Sequence, residues 1–129
     1  LLILVVDDEE DTRQLLVPSL TNYGATVTTA NSAAAALQVI SNQKPDVLVS
    51  DVGMPDEDGY SLIRKVRALE IDIPAVALTA FTRAQDRMRA LAAGFQNHVS
   101  KPVEPDELAT VIASLTGRLR QPTDGEAES

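Results

Sequence analysis

The sequence predicts an α/β protein, a five-stranded parallel sheet covered by helices on both faces, and three observations predict it. Short aliphatic runs alternate five times with stretches of helical period. Helix caps and prolines fall at the junctions between the two kinds of segment. Charged and hydroxyl residues gather where the strand-like runs end. Strict strand–helix alternation requires right-handed crossovers and hence a parallel sheet with helices on both sides. At 129 residues and 13.8 kDa the chain makes one domain, which on folding buries roughly two thirds of its unfolded surface.

The first strand is expected at Leu2–Val6, wholly aliphatic, followed by a helix with the stripe Leu16, Leu20, Tyr23, ended by Gly24. Pro18 inside that helix predicts a kink. A threonine-rich strand, Thr26–Ala30, leads to a helix capped by Ser32 with Ala33, Ala36, Leu37 and Ile40 on one face. Pro45 precedes a third strand at Val47–Ser50, and a helix with Leu62, Ile63, Val66 and Leu69 follows. Pro74 introduces the fourth strand, Ala75–Thr79, and the next helix carries Met88, Leu91 and Ala92 before Gly94. The fifth strand, Asn97–Ser100, has Val99 as its one aliphatic residue, and the last helix carries Leu108, Val111, Ile112 and Leu115. The most aliphatic strands, the first, third and fourth, belong in the centre, and the other two at the edges. The order 2-1-3-4-5, the flavodoxin-like doubly wound arrangement, satisfies this. Residues 1–117 form the domain on this reading, and 118–129, which lose periodicity and gain Pro122 and Gly125, read as a disordered tail or linker. The start at Leu1 within a strand-like run, without an initiator Met, reads as a segment of a longer chain.

The formal charge of −8 is localised, since residues 1–60 hold 10 acids and 2 bases. A net-negative chain lacks the basic footprint of a nucleic-acid or anionic-membrane binder, so neither partner is expected. Without cysteine there is no disulfide framework, thiolate zinc site or cysteine nucleophile. The longest aliphatic run, Leu1–Val6, falls far short of the roughly 20 residues that span a bilayer, and no signal pattern precedes it. A cytoplasmic location is expected.

In such a sheet function collects at the carboxyl ends of the strands, near the switch point between the first and third. There the chain places Asp7 and Asp8, Asp51, Thr79, and Ser100-Lys101-Pro102. Glu9, Glu10 and Asp11 read as helix N-terminal acids favoured by the macrodipole. Asp51 ends a buried strand, and a buried acid needs a cation or strong donor. Carboxylates converging from adjacent strands repel one another, and a hard divalent cation such as Mg²⁺ relieves this with oxygen ligands. Lys101 reaches the same corner, where it is expected to pair with Asp51 or its adduct, and the Thr79 hydroxyl is placed to donate to an anion. Carboxylates, Mg²⁺, a lysine and a hydroxyl describe phosphoryl transfer without a glycine-rich loop, and a carboxylate nucleophile forming an aspartyl phosphate completes it.

Over residues 1 to about 117 the chain resembles the receiver domains of two-component response regulators. Five separated elements carry the resemblance: Asp7-Asp8, Asp51 with Gly53-Met54-Pro55 and Asp58-Gly59, Thr79-Ala80, His98, and Lys101-Pro102. It implies that Asp51 is the phospho-acceptor, that Asp8, Asp51 and the Gly53 carbonyl bind Mg²⁺, and that Asp7 assists through water. It further implies that Lys101 contacts the phosphoryl group, that the peptide before Pro102 is cis, and that Thr79 takes part in a switch. His98 stands where the family usually has Tyr or Phe; it is either the rotameric switch or a half-exposed edge-strand histidine. The implied partner is a histidine kinase or histidine phosphotransfer domain, and a homodimer through the face of the fourth helix, fifth strand and fifth helix is a further expectation. On this reading the domain is no enzyme beyond its own phosphorylation and dephosphorylation.

Three alternatives stand beside it. An aspartate-nucleophile phosphohydrolase wants its two acids one residue apart, whereas Asp7 and Asp8 are adjacent. A flavin mononucleotide binder needs a phosphate loop where this chain has five consecutive acids, and a degenerate receiver would have lost one of the acidic, Thr or Lys positions. Arg83, Arg87 and Arg89 around the fourth helix read as a solvated charged face, with a docking surface as the rival. The wording of Asp51-Val-Gly-Met-Pro and of residues 95–103 is most similar to receivers of hybrid sensor kinases, with a DNA-binding output domain as the rival architecture.

Overall fold

A computed structural model describes residues 1–54, 58–80 and 84–117. Five strands alternate with five helices: β1 (Leu2–Val6), α1 (Glu10–Asn22), β2 (Thr26–Ala30), α2 (Ala33–Asn42), β3 (Val47–Asp51), α3 (Gly59–Ala68), β4 (Ala75–Thr79), α4 (Ala84–Ala93), β5 (Asn97–Ser100) and α5 (Pro105–Thr116). All four strand pairings are parallel, in the order β2-β1-β3-β4-β5. Aliphatic composition selected the centre correctly: β3 and β4 are buried throughout, whereas β2 is largely exposed or half-buried.

Side-chain alternation divides the core into two layers. Leu4, Val6, Leu48, Ala75 and Ala77 pack under α2, α3 and α4, through Ala36, Ile40, Leu62, Ile63, Val66 and Ala90. Ile3, Val5, Val47, Val49, Val76, Leu78 and Val99 pack under α1 and α5, against Leu16, Leu20, Leu108 and Ile112. The local signals act as their chemistry requires. Ser32 accepts from the Ala35 N–H at 3.1 Å, and Gly24, Gly94 and Gly117 leave their helices at positive φ. Ser32→Ala is expected to cost about 1 kcal/mol, read as a lower urea midpoint at unchanged slope. The first helix runs through Pro18 to Asn22.

Three expectations are corrected. β3 extends to Asp51, which pairs in register with Leu78, so this acid is the last residue of the strand. On α4 the apolar stripe is turned outward, with Met88 68% and Leu91 57% exposed and Ala92 exposed as well, while Ala90 and Ala93 are buried. Two alanines three residues apart let the helix approach closely where larger side chains would hold it off. Leu69 is 61% exposed because it is the C-cap of α3, past the last helical turn. Arg83, Pro55 and the segment 118–129 lie outside the described residues. Among the described residues no helix is long and apolar enough to cross a membrane.

Candidate functional site

Strand register explains why the charged residues meet. The alternation that turns Ile3 and Val5, Val47 and Val49, and Val99 toward α1 and α5 continues to Asp7, Asp51 and Lys101 at the carboxyl ends. Three residues from three strand ends therefore converge on one side, although the chain separates them widely. Asp7 is fully buried and Asp51 is buried. The Lys101 ammonium lies 3.0 Å from Asp7 Oδ2, 3.3 Å from Asp51 Oδ2 and 3.1 Å from Glu9 Oε1.

The carboxylates are also held from their own loops. Asp51 Oδ1 accepts the Gly53 N–H at 3.0 Å, and Asp7 Oδ1 accepts the Glu9 N–H at 2.9 Å. The Arg13 guanidinium donates to the Asp7 carbonyl at 2.6 Å, tying the loop to α1. Burial raises the Asp7 carboxyl above its ordinary value, an effect opposed by the Glu9 N–H and by Lys101. Burial alone would lower the Lys101 ammonium, but the adjacent carboxylate of Asp7, then those of Asp51 and Glu9, outweigh it and raise it overall. The lysine is thus held charged by the acids it neutralises. The Lys101–Pro102 peptide is cis, and the Lys101 N–H donates to the Thr79 carbonyl at 2.7 Å.

Asp7, Asp8, Glu9 and Asp51 each offer a carboxylate oxygen within 4.8 Å of the others. An all-oxygen donor set of this kind suits a hard divalent cation. The buried Asp7 Oδ2 points the same way: its contact with Lys101 is an ion pair without hydrogen-bond alignment. The residues present fit the Mg²⁺ expected from the sequence.

Thr79 is buried at the end of β4, opposite Ser100 in register. Alternation places it on the α2/α3/α4 side with Ala77, and His98, opposite Ala77 on β5, shares that side. His98 is half-buried on an edge strand, on the side of the sheet that Thr79 shares and opposite to the side on which Asp7, Asp51 and Lys101 converge.

The roles of three residues escaped the sequence reading. Glu9 is no mere dipole acid: it occupies the N-cap position of α1 without capping it and reaches Lys101. The signal available was a glutamate, a poor capping residue, directly after two strand-end aspartates. Gly59 packs its α-carbon on the backbone of Asp51 and Val52. Arg89 is not a simply solvated charge, because its guanidinium lies 4.2 Å from the centre of the Tyr60 ring, which packs edge-on to Phe95. A groove of about 460 Å³ bordered by Glu9, Asp11, Leu15, Lys101 and Val103 opens beside the site.

Comparison with known proteins agrees with this geometry. The family model described as response regulator receiver domain matches residues 3–113. An uncharacterized 14.6 kDa protein in the sodA1 3′ region of Leptolyngbya boryana is 48% identical over 112 residues, covering 85% of this chain and 86% of that one. The sensor histidine kinase RcsC of Salmonella typhi is 39% identical over 121 residues, 94% of this chain but only 13% of the kinase. The Francisella response regulator 1452 receiver domain superposes with a TM-score of 0.86 at 30% identity, covering 91% of this chain and 97% of that structure. With the acids, lysine and threonine at the strand ends where the sequence put them, and a family model spanning nearly all of the described chain, this protein belongs to the response regulator receiver domains of two-component signalling.

Proposed function

We propose that Asp51 accepts a phosphoryl group from a histidine kinase or histidine phosphotransfer domain, and that Asp8, Asp51 and the Gly53 carbonyl hold Mg²⁺, with Asp7 assisting through water. The observation that carries this reading is the single ammonium of Lys101 set 3.3 Å from Asp51 Oδ2 and 3.0 Å from Asp7 Oδ2 at the carboxyl end of the sheet. Bound Mg²⁺ would supply charge neutralisation for the transferring group.

The chain's own residues do the rest. The Gly53 N–H holds one oxygen of Asp51 and orients its carboxylate. A carboxylate oxygen of Asp51 attacks phosphorus in line as the bond from phosphorus to the donor breaks, and the donor leaves with that electron pair. Lys101 moves its N–H toward an equatorial phosphoryl oxygen, stabilising charge as it develops. Thr79, at the adjacent strand end, supplies a hydroxyl to the same group. Its movement reaches the α4 side, where His98 shares its face. The switch role of His98 is part of this reading.

The domain promotes its own phosphorylation and dephosphorylation and turns over no other substrate. Population shift of the α4–β5–α5 face changes partner binding or homodimerisation, and Met88 and Leu91 stand exposed on α4. The match to RcsC supports a hybrid sensor kinase as the parent chain, and a cytoplasmic location belongs to the same reading. The charge of −8 supports the absence of direct nucleic-acid or membrane contact by this segment.

Incubation with acetyl phosphate and Mg²⁺ tests the proposal by intact mass. One added phosphoryl group is expected on the wild type and none on Asp51→Asn. An addition that survives that substitution would move the acceptor elsewhere.

A further inference from the structure

An ammonium has three N–H donors, and that of Lys101 has three carboxylate neighbours, Asp7, Asp51 and Glu9. The three neighbours are not equivalent. The side chain of Asp7 is fully buried and that of Asp51 is 8% exposed, whereas Glu9 is 62% exposed. Glu9 also breaks a local rule. It occupies the N-cap position of α1, where Ser, Thr, Asp or Asn would satisfy helix N–H groups, and its side chain makes no capping bond. Its backbone N–H is spent on Asp7, and its carboxylate turns to a lysine 92 positions away. A local preference given up beside a site is the mark of a functional constraint.

We propose that Glu9 is a positioning residue that holds Lys101 in the unphosphorylated protein and releases its N–H donor to the phosphoryl group. The inference rests on Asp51 being the phospho-acceptor. Taking the ammonium from Asp7 would leave a buried charge unpaired. Asp51 is itself the group that is modified. Glu9 alone is exposed enough for water to replace the lysine when it leaves, so exchange at Glu9 costs least. In the resting state Glu9 holds the ammonium over Asp51 but competes with the incoming anion for it.

Two measurements on Glu9→Gln test this, with Glu10→Gln, one residue further on and not in contact with Lys101, as the charge-matched control. The first follows the side-chain ammonium of Lys101 by ¹⁵N NMR in the unphosphorylated protein, assigned by its loss in Lys101→Arg. Glu9→Gln is expected to shift this signal and quicken its hydrogen exchange, and Glu10→Gln to leave it in place. The second is the rate of phosphorylation by acetyl phosphate, expected to rise about two- to fivefold in Glu9→Gln, the range of an exposed ion pair, and to change little in Glu10→Gln. An unmoved ammonium signal, an unchanged or slower rate, or an equal rise in the control overturns the proposal. So does a tenfold or greater loss of Mg²⁺ affinity in Glu9→Gln, which would make Glu9 a metal ligand instead. Failure of the wild type to gain a phosphoryl group would remove the acceptor reading and the exchange with it, while the NMR comparison would still report the Glu9–Lys101 contact.

Discussion

Lys101→Met is expected to slow phosphorylation of Asp51 by acetyl phosphate about 10²- to 10³-fold, the usual loss when one preorganised charged donor is removed from a developing anion. Methionine keeps most of the stem's length and apolar packing, so the change isolates the ammonium. Stability should fall too, by about 2 kcal/mol, because Asp7 and Asp51 lose the cation that lies within 3.3 Å of both. Lys101 is itself 17% exposed, which keeps that loss below the cost of breaking a pair in which both partners are fully buried. The pH dependence has a definite sign. Lys101 is raised above its ordinary 10.5 in the folded protein, so its contribution is fully present below that value and is lost only as pH rises through the folded value. The stability gap between wild type and variant should therefore stay constant between about pH 6 and 9 in urea melts, as far as this residue governs it. A gap that closed by pH 8 would mean that the lysine is not held charged by these acids.

Gly59→Ala is expected to be the most damaging methyl group added at any of the described glycines. An added Cβ would stand 2.3 Å from the Asp51 carbonyl oxygen and 2.9 Å from the Val52 α-carbon, both backbone atoms that no rotamer change can move. Either the start of α3 lifts from β3 or the end of β3 shifts, and Asp51 moves with it. A loss of about 3 kcal/mol or more follows, roughly 10 °C in Tm for a domain of this size. Phosphorylation should fall further than the unfolded fraction explains. Gly24→Ala is the comparison: Gly24 has φ +91° but open space around its Cβ position, so only backbone strain, about 1 kcal/mol, is lost. Equal losses at the two positions would refute the steric account of Gly59.

Much of this molecule could be read along the chain because the informative signals are local. Period-two and period-3.6 patterns are set by a few neighbouring residues, and the strands they marked agree with the structure to within one residue. Ser32 and Gly24 acted on their own helix ends. Where the reading failed, the deciding contact was distant. Met88 and Leu91 have the hydrophobicity of a core stripe, yet α4 turns Ala90 and Ala93 to the core instead, a choice made by its seating on the sheet. Arg89 resembles any exposed base until Tyr60, on another helix, is found beneath its guanidinium.

The candidate site divides in the same way. By itself the sequence determined the sheet order and marked Asp7, Asp8, Asp51, Thr79 and Lys101 as candidates, because an acid closing an aliphatic strand has to be compensated and a lysine and a hydroxyl stand at neighbouring strand ends. Only the tertiary structure decided how that compensation is shared. It assigned Glu9 to Lys101, bound Arg13 to the Asp7 carbonyl, and placed Gly59 against Asp51. Those contacts depend on distances of about 3 Å between groups brought together by the register of parallel strands and the seating of α1 and α3, and hydrophobic period carries no distance at that scale.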